Sequence, residues 1–258
     1  MIYRAWKNWR RTKIRQRPFP QAWLETIELR VPYCQLLPEN DQRELLGHIQ
    51  VFLAEKSFEG CGGVTVTDEM RVVIAAQACI LLLHRSSNYF PQLGSIYIYP
   101  HPYVAETHRQ LPGGIIEDGI EARVGESWRY GNVILTWDSV LAGARDIHDG
   151  HNVVLHEFAH QLDEEGGAAN GAPHLELKSQ YIAWARVLSA EFLQLNRDVH
   201  NGHKTVMDEY GATNPAEFFA VATETFFEKP IQLRKKHLAL YDELKLFYQQ
   251  DPAAFHEI

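Results

Sequence analysis

Two histidines four residues apart, with a glutamate beside the first, are the residues of this chain best suited to chemistry. They stand in Val153-Val154-Leu155-His156-Glu157-Phe158-Ala159-His160-Gln161-Leu162-Asp163. On an α-helix, positions i and i+4 share a face, so the imidazoles of His156 and His160 can reach one ion. Leu155, Phe158, Ala159 and Leu162 fall at i, i+3, i+4 and i+7 and make an apolar stripe on another side. A helix buried along that stripe, with two His on its far face, is the framework of a zinc site. Two His leave zinc short of protein ligands, so a third must come from elsewhere in the chain. Glu157 would face the water on the open coordination position and act as general base. The competing reading is an ordinary amphipathic helix that happens to carry His, Glu and His. The helical context favours the metal.

The surrounding elements follow from periodicity. Pro38-Glu39-Asn40-Asp41 is a turn with helix-start chemistry. Leu45, Leu46, Ile49, Phe52 and Leu53 then predict a helix over 43–56. Gly60-Cys61-Gly62-Gly63 breaks the chain, and 64–66 is a candidate short strand. Thr67 or Asp68 could cap a second helix over 69–83, buried on most sides. Strands are predicted at 94–100, 115–124 and 131–137, the last enriched in β-branched and aromatic residues. That strand is a candidate edge to which a peptide could add, or else a central core strand. After the motif helix, 164–173 reads as a Gly- and Ala-rich loop. Helices follow over 175–195, 214–228 and 231–250, with an irregular polar stretch at 196–213. The order is α+β rather than alternating βαβ.

Candidates for the third ligand are His148, His151, His174, Glu217 and Glu224. Glu217 is the strongest, but it has a plain alternative. Asn214 is a good N-cap, Pro215 suits the first helical position, and Glu217 falls where a capping-box Glu falls. Locally, a cap explains Glu217 as well as a metal does. Glu224 lies two turns on, roughly on the same face, where it could orient a ligand or sit at the surface. Asp163-Glu164-Glu165 close the motif helix, where acids oppose the helix dipole. A well-solvated loop accounts for them more simply than a grip on a substrate amine. His148, His151 and His174 read as loop or surface residues, with His151 able to help close the helix start. His101 and His108 have no assignable role.

The combination of His156-Glu157-x-x-His160, Tyr210-Gly211-Ala212-Thr213-Asn214-Pro215-Ala216-Glu217 and Glu224-x-Phe226-Phe227-Glu228 resembles the Mlc titration factor A family. These are bacterial zinc-dependent peptidases of the gluzincin type, similar in catalytic core to the anthrax lethal factor protease domain. Ile98-Tyr99-Pro100, Gly125-x-Ser127-Trp128, Leu162-Asp163 and Phe247-Tyr248-Gln249-Gln250-Asp251-Pro252 agree. The resemblance covers roughly residues 20–255. It implies a zincin-like metallopeptidase core with a small mixed sheet and a helical C-terminal half. It also implies one Zn2+ per chain on His156, His160 and Glu217, with Glu157 as base and Tyr210 pointing into the site. A phenol there could donate a hydrogen bond to the oxyanion formed at a peptide carbonyl. The plainer reading of Tyr210 is a loop residue packed for area. Two functions follow from the resemblance: peptide-bond hydrolysis, aminopeptidase-like on small substrates, and capture of the transcriptional repressor Mlc.

The 258 residues suffice for a sizeable core. A net charge of −8 argues against a nucleic-acid binder. The charge is uneven: Arg4, Lys7, Arg10, Arg11, Lys13, Arg15 and Arg17 stand in a stretch without acids, and the remainder carries 18 bases against 33 acids. Residues 1–20 therefore read as a basic arm and 21–258 as a catalytic domain. With Tyr3, Trp6 and Trp9 interleaved, the arm could touch an anionic membrane, nucleic acid or an acidic partner. A solvated tail, or one folded back on its own acidic domain, is the simpler reading. No apolar h-region follows the bases, and the longest apolar run, 72–83, is broken by Gln77. Cys34, Cys61 and Cys79 are odd in number and lack metal-ligand spacing, which suits reduced thiols in a cytoplasmic protein.

Overall fold

The computed structural model describes residues 2–86, 88–110, 116–123, 125–128, 131–175 and 177–256, with side chains described outside 2–4 and 103–128. The chain opens with α1 (Ile2–Arg15), α2 (Gln21–Arg30), the single turn α3 (Tyr33–Leu36) and α4 (Glu39–Glu55). Strand β1 (Ser57–Gly60) leads into α5 (Asp68–Ile80). There follow β2 (Ser95–Tyr99), β3 (Tyr103–Gln110), β4 (Ile116–Arg123), β5 (Gly125–Trp128) and β6 (Asn132–Thr136). The remaining helices are α6 (Trp137–Arg145), α7 (Val153–Glu164), α8 (Gln180–His200), α9 (Pro215–Glu228), α10 (Pro230–Lys236) and α11 (Leu238–Tyr248). A 3-10 turn at Glu209–Ala212 lies between α8 and α9. This is an α+β fold, a small mixed sheet with a helical second half.

The sheet runs β1-β2-β6-β5, with β5 alone antiparallel, and β3 pairs with β4 in a separate ribbon. β1, α5 and β2 form one parallel crossover unit within the α+β order. Alternation selects the buried face. Ile96 pairs with Val133 and Ile98 with Leu135, and all four are fully buried. The 131–137 segment is not an edge: β6 hydrogen-bonds to β2 on one side and β5 on the other. Its β-branched run, half to fully buried on both faces, is that of an interior strand. The edge nearest the motif helix is β5, which packs against α7.

Helix α5 starts where Thr67 Oγ1 accepts from the Met70 N–H at 3.2 Å, with Asp68 and Glu69 in a first turn that favours negative charge. Its body, Val72–Ile80, is buried throughout. Residues 64–66 form no strand. The long helix expected over 175–195 begins later and runs on to His200. The three cysteines are free thiols, Cys34 and Cys79 buried. Among the described residues, no helix is long and apolar enough to cross a membrane.

The basic N-terminal segment folds back on the body as α1. Arg11 makes a forked pair with Glu55 at 2.9 and 2.7 Å, and Ile14 is buried beside it. Arg15 reaches the Tyr89 hydroxyl, which also bonds His48 Nδ1 at 2.8 Å.

Candidate active site

Helix α7 is held from below by aromatic packing. The Phe158 ring centroid lies 4.8 Å from that of Phe90 and 5.6 Å from that of Phe52. Leu155, Ala159 and Leu162 are buried with it, as the stripe requires. The helix starts at Asn152, whose Oδ1 accepts from the Val154 and Leu155 N–H groups at 3.1 and 3.0 Å.

Across from α7 runs α9, buried along nearly all its length. The two explanations of Glu217 separate here. Asn214 Oδ1 accepts from the Ala216 and Glu217 N–H groups at 2.9 and 3.1 Å, so Asn214 caps the helix. The Glu217 carboxylate turns instead to the histidines. Its Oε2 lies 3.0 Å from His156 Nε2 and 3.3 Å from His160 Nε2, and the two Nε2 atoms are 3.2 Å apart. Among the described residues, these three form the only cluster of its kind. His148, His151 and His174 are exposed and lie outside it.

Tetrahedral zinc with bonds of about 2.0–2.1 Å separates its donors by about 3.3–3.4 Å. The observed triangle is only slightly tighter. The tautomer also fits. Glu224 Oε1 sits 2.7 Å from His156 Nδ1, and a carboxylate can only accept, so Nδ1 carries a proton and Nε2 is the ring nitrogen left to face Glu217 and bind an ion. Two ring nitrogens and a carboxylate oxygen meeting at one point form a donor set that could hold a cation. Burial opposes charge on His156, yet Glu217 and Glu224 outweigh it and push its pKa well above the usual range, so an ion binding at Nε2 would displace a proton. Burial would likewise raise the Glu217 carboxyl, but the two histidines bring it down to about 2.

Glu157 is nearly fully buried, and burial pushes its carboxyl up to about 7 against the pull of His156 and His160. Its Oε2 makes no hydrogen bond among the described residues. Tyr210 is half exposed in the 3-10 turn, its ring 6.0 Å from that of His156. The Asp208 carboxylate accepts from the Tyr210 N–H at 2.7 Å and fixes the turn.

Sequence reasoning missed Asn152 and gave Glu228, part of the Glu224-x-Phe226-Phe227-Glu228 motif, no role. The Asn152 N–H donates to Glu224 Oε2 at 2.5 Å, and its side-chain amide donates to Gln77 Oε1, the Gly143 carbonyl and Glu228 Oε1. Burial drives the Glu228 carboxyl up to about 9, with the Asn152 hydrogen bond opposing. An Asn just before an apolar-periodic helix is a readable cap signal. Its partners on α5 and α9 are not readable from the sequence.

The acids ending α7 are not in solvent as expected. Asp163 is fully buried and accepts from the Gly171 N–H at 2.7 Å. Gly171 has φ +75°, and its carbonyl accepts from Trp184 Nε1 at 2.8 Å. A Cβ there would lie 2.4 Å from the Pro215 carbonyl, at the start of α9. Gly171 thus lets the loop after α7 close on the helix that bears Glu217. Gly171→Ala is expected to destabilise the fold by about 2–4 kcal/mol, from strain and overpacking together. Urea unfolding measures this, and a change within about 0.5 kcal/mol, usual for surface substitutions, would contradict it.

A His-Glu-x-x-His helix beneath a small mixed sheet, facing a carboxylate from a second helix, is the architecture of the metallopeptidase class. The chain belongs to the glucose-regulated metallo-peptidase M90 family, whose sequence model matches residues 6–249. That match begins inside the basic segment. The chain is 44% identical over 252 residues to the uncharacterized protein slr2042 of Synechocystis, covering 97% of this chain and 91% of the relative. It is 34% identical to Mlc titration factor A of Serratia proteamaculans, over 88% of this chain and 86% of that protein. The corresponding Yersinia pestis protein is 30% identical, over 91% and 88%.

Proposed function

We propose that this chain is a zinc-dependent peptidase of the gluzincin type. The observation that carries the reading is the triangle of His156 Nε2, His160 Nε2 and Glu217 Oε2, spaced as the donors of one tetrahedral ion. Zinc, when bound there, would supply Lewis acidity and make water nucleophilic at neutral pH. His156, His160 and Glu217 would hold it, with Glu224 locking the His156 ring from behind. Glu157 takes the proton of the attacking water and returns it to the leaving amine. Buried beside His156 and His160, it would stand next to the water that such an ion holds. Tyr210, on the exposed side of His156, donates its phenol hydrogen to the oxyanion at the scissile carbonyl. An extended peptide adds to β5, the outer strand of the sheet among the described residues, beside α7. Residues 21–258 form the catalytic unit, acting in the cytoplasm on peptides or proteins, with aminopeptidase-like cleavage of small substrates.

The test is metal removal. Chelated and dialysed protein is expected to lose hydrolysis of a panel of amino-acid anilides and short peptides, and stoichiometric zinc to restore it. Hydrolysis that persists in metal-free protein would sink the proposal. The names of the Serratia and Yersinia relatives support a second reading, capture of an Mlc-type repressor. In that case Glu157→Ala keeps repressor binding in a pull-down while hydrolysis is lost.

A further inference from the structure

Helix α1 is inside out with respect to its chemistry. The side it buries against the body carries Arg11 and Ile14, with Lys7 and Arg15 flanking them and directed at Glu55 and Tyr89. The side it turns to solvent carries Trp6 and Trp9, 53% and 58% exposed. At 3.6 residues per turn, Trp6, Trp9 and Lys13 fall within about 60° of arc, with Arg10 beside them. Arg10 and Lys13 are exposed, as is Arg17 just past the helix end. Core formation does not require this face, since the Arg11–Glu55 fork and Ile14 already anchor the helix. The anchoring leaves outward two large aromatics about one turn apart, bordered by bases, on a stretch without an acidic residue.

We propose that the outward face of α1 docks on an anionic lipid bilayer. Trp6 and Trp9 enter at the headgroup level, where an indole buries its rings and keeps its N–H wet. Arg10, Lys13 and Arg17 face the lipid phosphates. A nucleic acid is disfavoured by the net charge of −8 on the whole molecule. The bilayer instead meets one helix face, whose own residues include bases and no acid. The inference is independent of the hydrolase reading.

The experiment is co-sedimentation of the full chain with two kinds of large vesicle, neutral phosphatidylcholine alone and phosphatidylcholine mixed with phosphatidylglycerol. Binding is expected to the mixed vesicles only and to weaken as salt is raised. Trp6→Ser/Trp9→Ser and Arg10→Ser/Lys13→Ser are each expected to weaken it by on the order of tenfold or more. All four positions are at the surface, so circular dichroism and the melting temperature should stay those of the parent. No binding to the mixed vesicles overturns the proposal, whether or not an acidic protein binds instead. Equal binding to both vesicle types, or by parent and both variants, overturns it as well.

Discussion

Glu157→Ala is expected to lower peptide hydrolysis by about 10²–10⁴-fold while leaving the fold and the zinc content unchanged. The side chain is buried, one of its oxygens lacks a hydrogen-bond partner among the described residues, and burial has already raised its carboxyl to about 7. Removing such a group relieves desolvation, which offsets the cavity left behind, so the variant should melt close to the parent. The proton, however, loses its carrier between the attacking water and the leaving amine. The comparison is kcat on the best substrate of the panel, with zinc counted per chain in both proteins. A variant that keeps its zinc and its kcat would remove Glu157 from the mechanism.

Glu217→Ala should act at an earlier stage, on the metal itself. Two imidazoles would remain of the three donors, so zinc affinity is expected to fall by more than the roughly 10–100-fold typical of losing an outer partner. Hydrolysis at limiting zinc would fall with it. The substitution leaves the start of α9 intact, because Asn214 and not Glu217 caps that helix. Its circular dichroism should therefore match the parent's. Competition with a chromogenic chelator gives the zinc Kd directly. Parental affinity in the variant would show that the third donor is another residue.

The parts legible in the sequence are those governed by local pattern. The stripe of Leu155, Phe158, Ala159 and Leu162 placed α7, and Asn214-Pro215 placed the start of α9. What escaped was set by partners distant in sequence. Helix α1 shows no apolar period on its buried side because that side is built on Arg11 and Arg15, whose partners are Glu55 and Tyr89. The end of α8 was hidden by Asn196, Arg197 and Asp198, but Asn196 bonds back to the Phe192 carbonyl and the helix continues through Val199. The edge position of β5 depends on pairing order, which no single strand encodes. The choice between cap and ligand for Glu217 required the histidines of another helix. Asp163 looked like a solvated helix-end acid because its partner, the Gly171 N–H, lies across a loop.

Asn152 does two things at once. Its side chain starts α7, and its backbone holds the carboxylate that fixes the His156 ring. The helix start and the orientation of that ring are thus one cooperative event, completed when the chain folds. An ion arriving later meets a ring whose rotamer freedom is already gone. Little ordering entropy remains to oppose its binding, and little backbone hydrogen exchange around the start of α7 should change when it arrives. The cluster is in this sense preorganised by a buried amide as well as by its three donors.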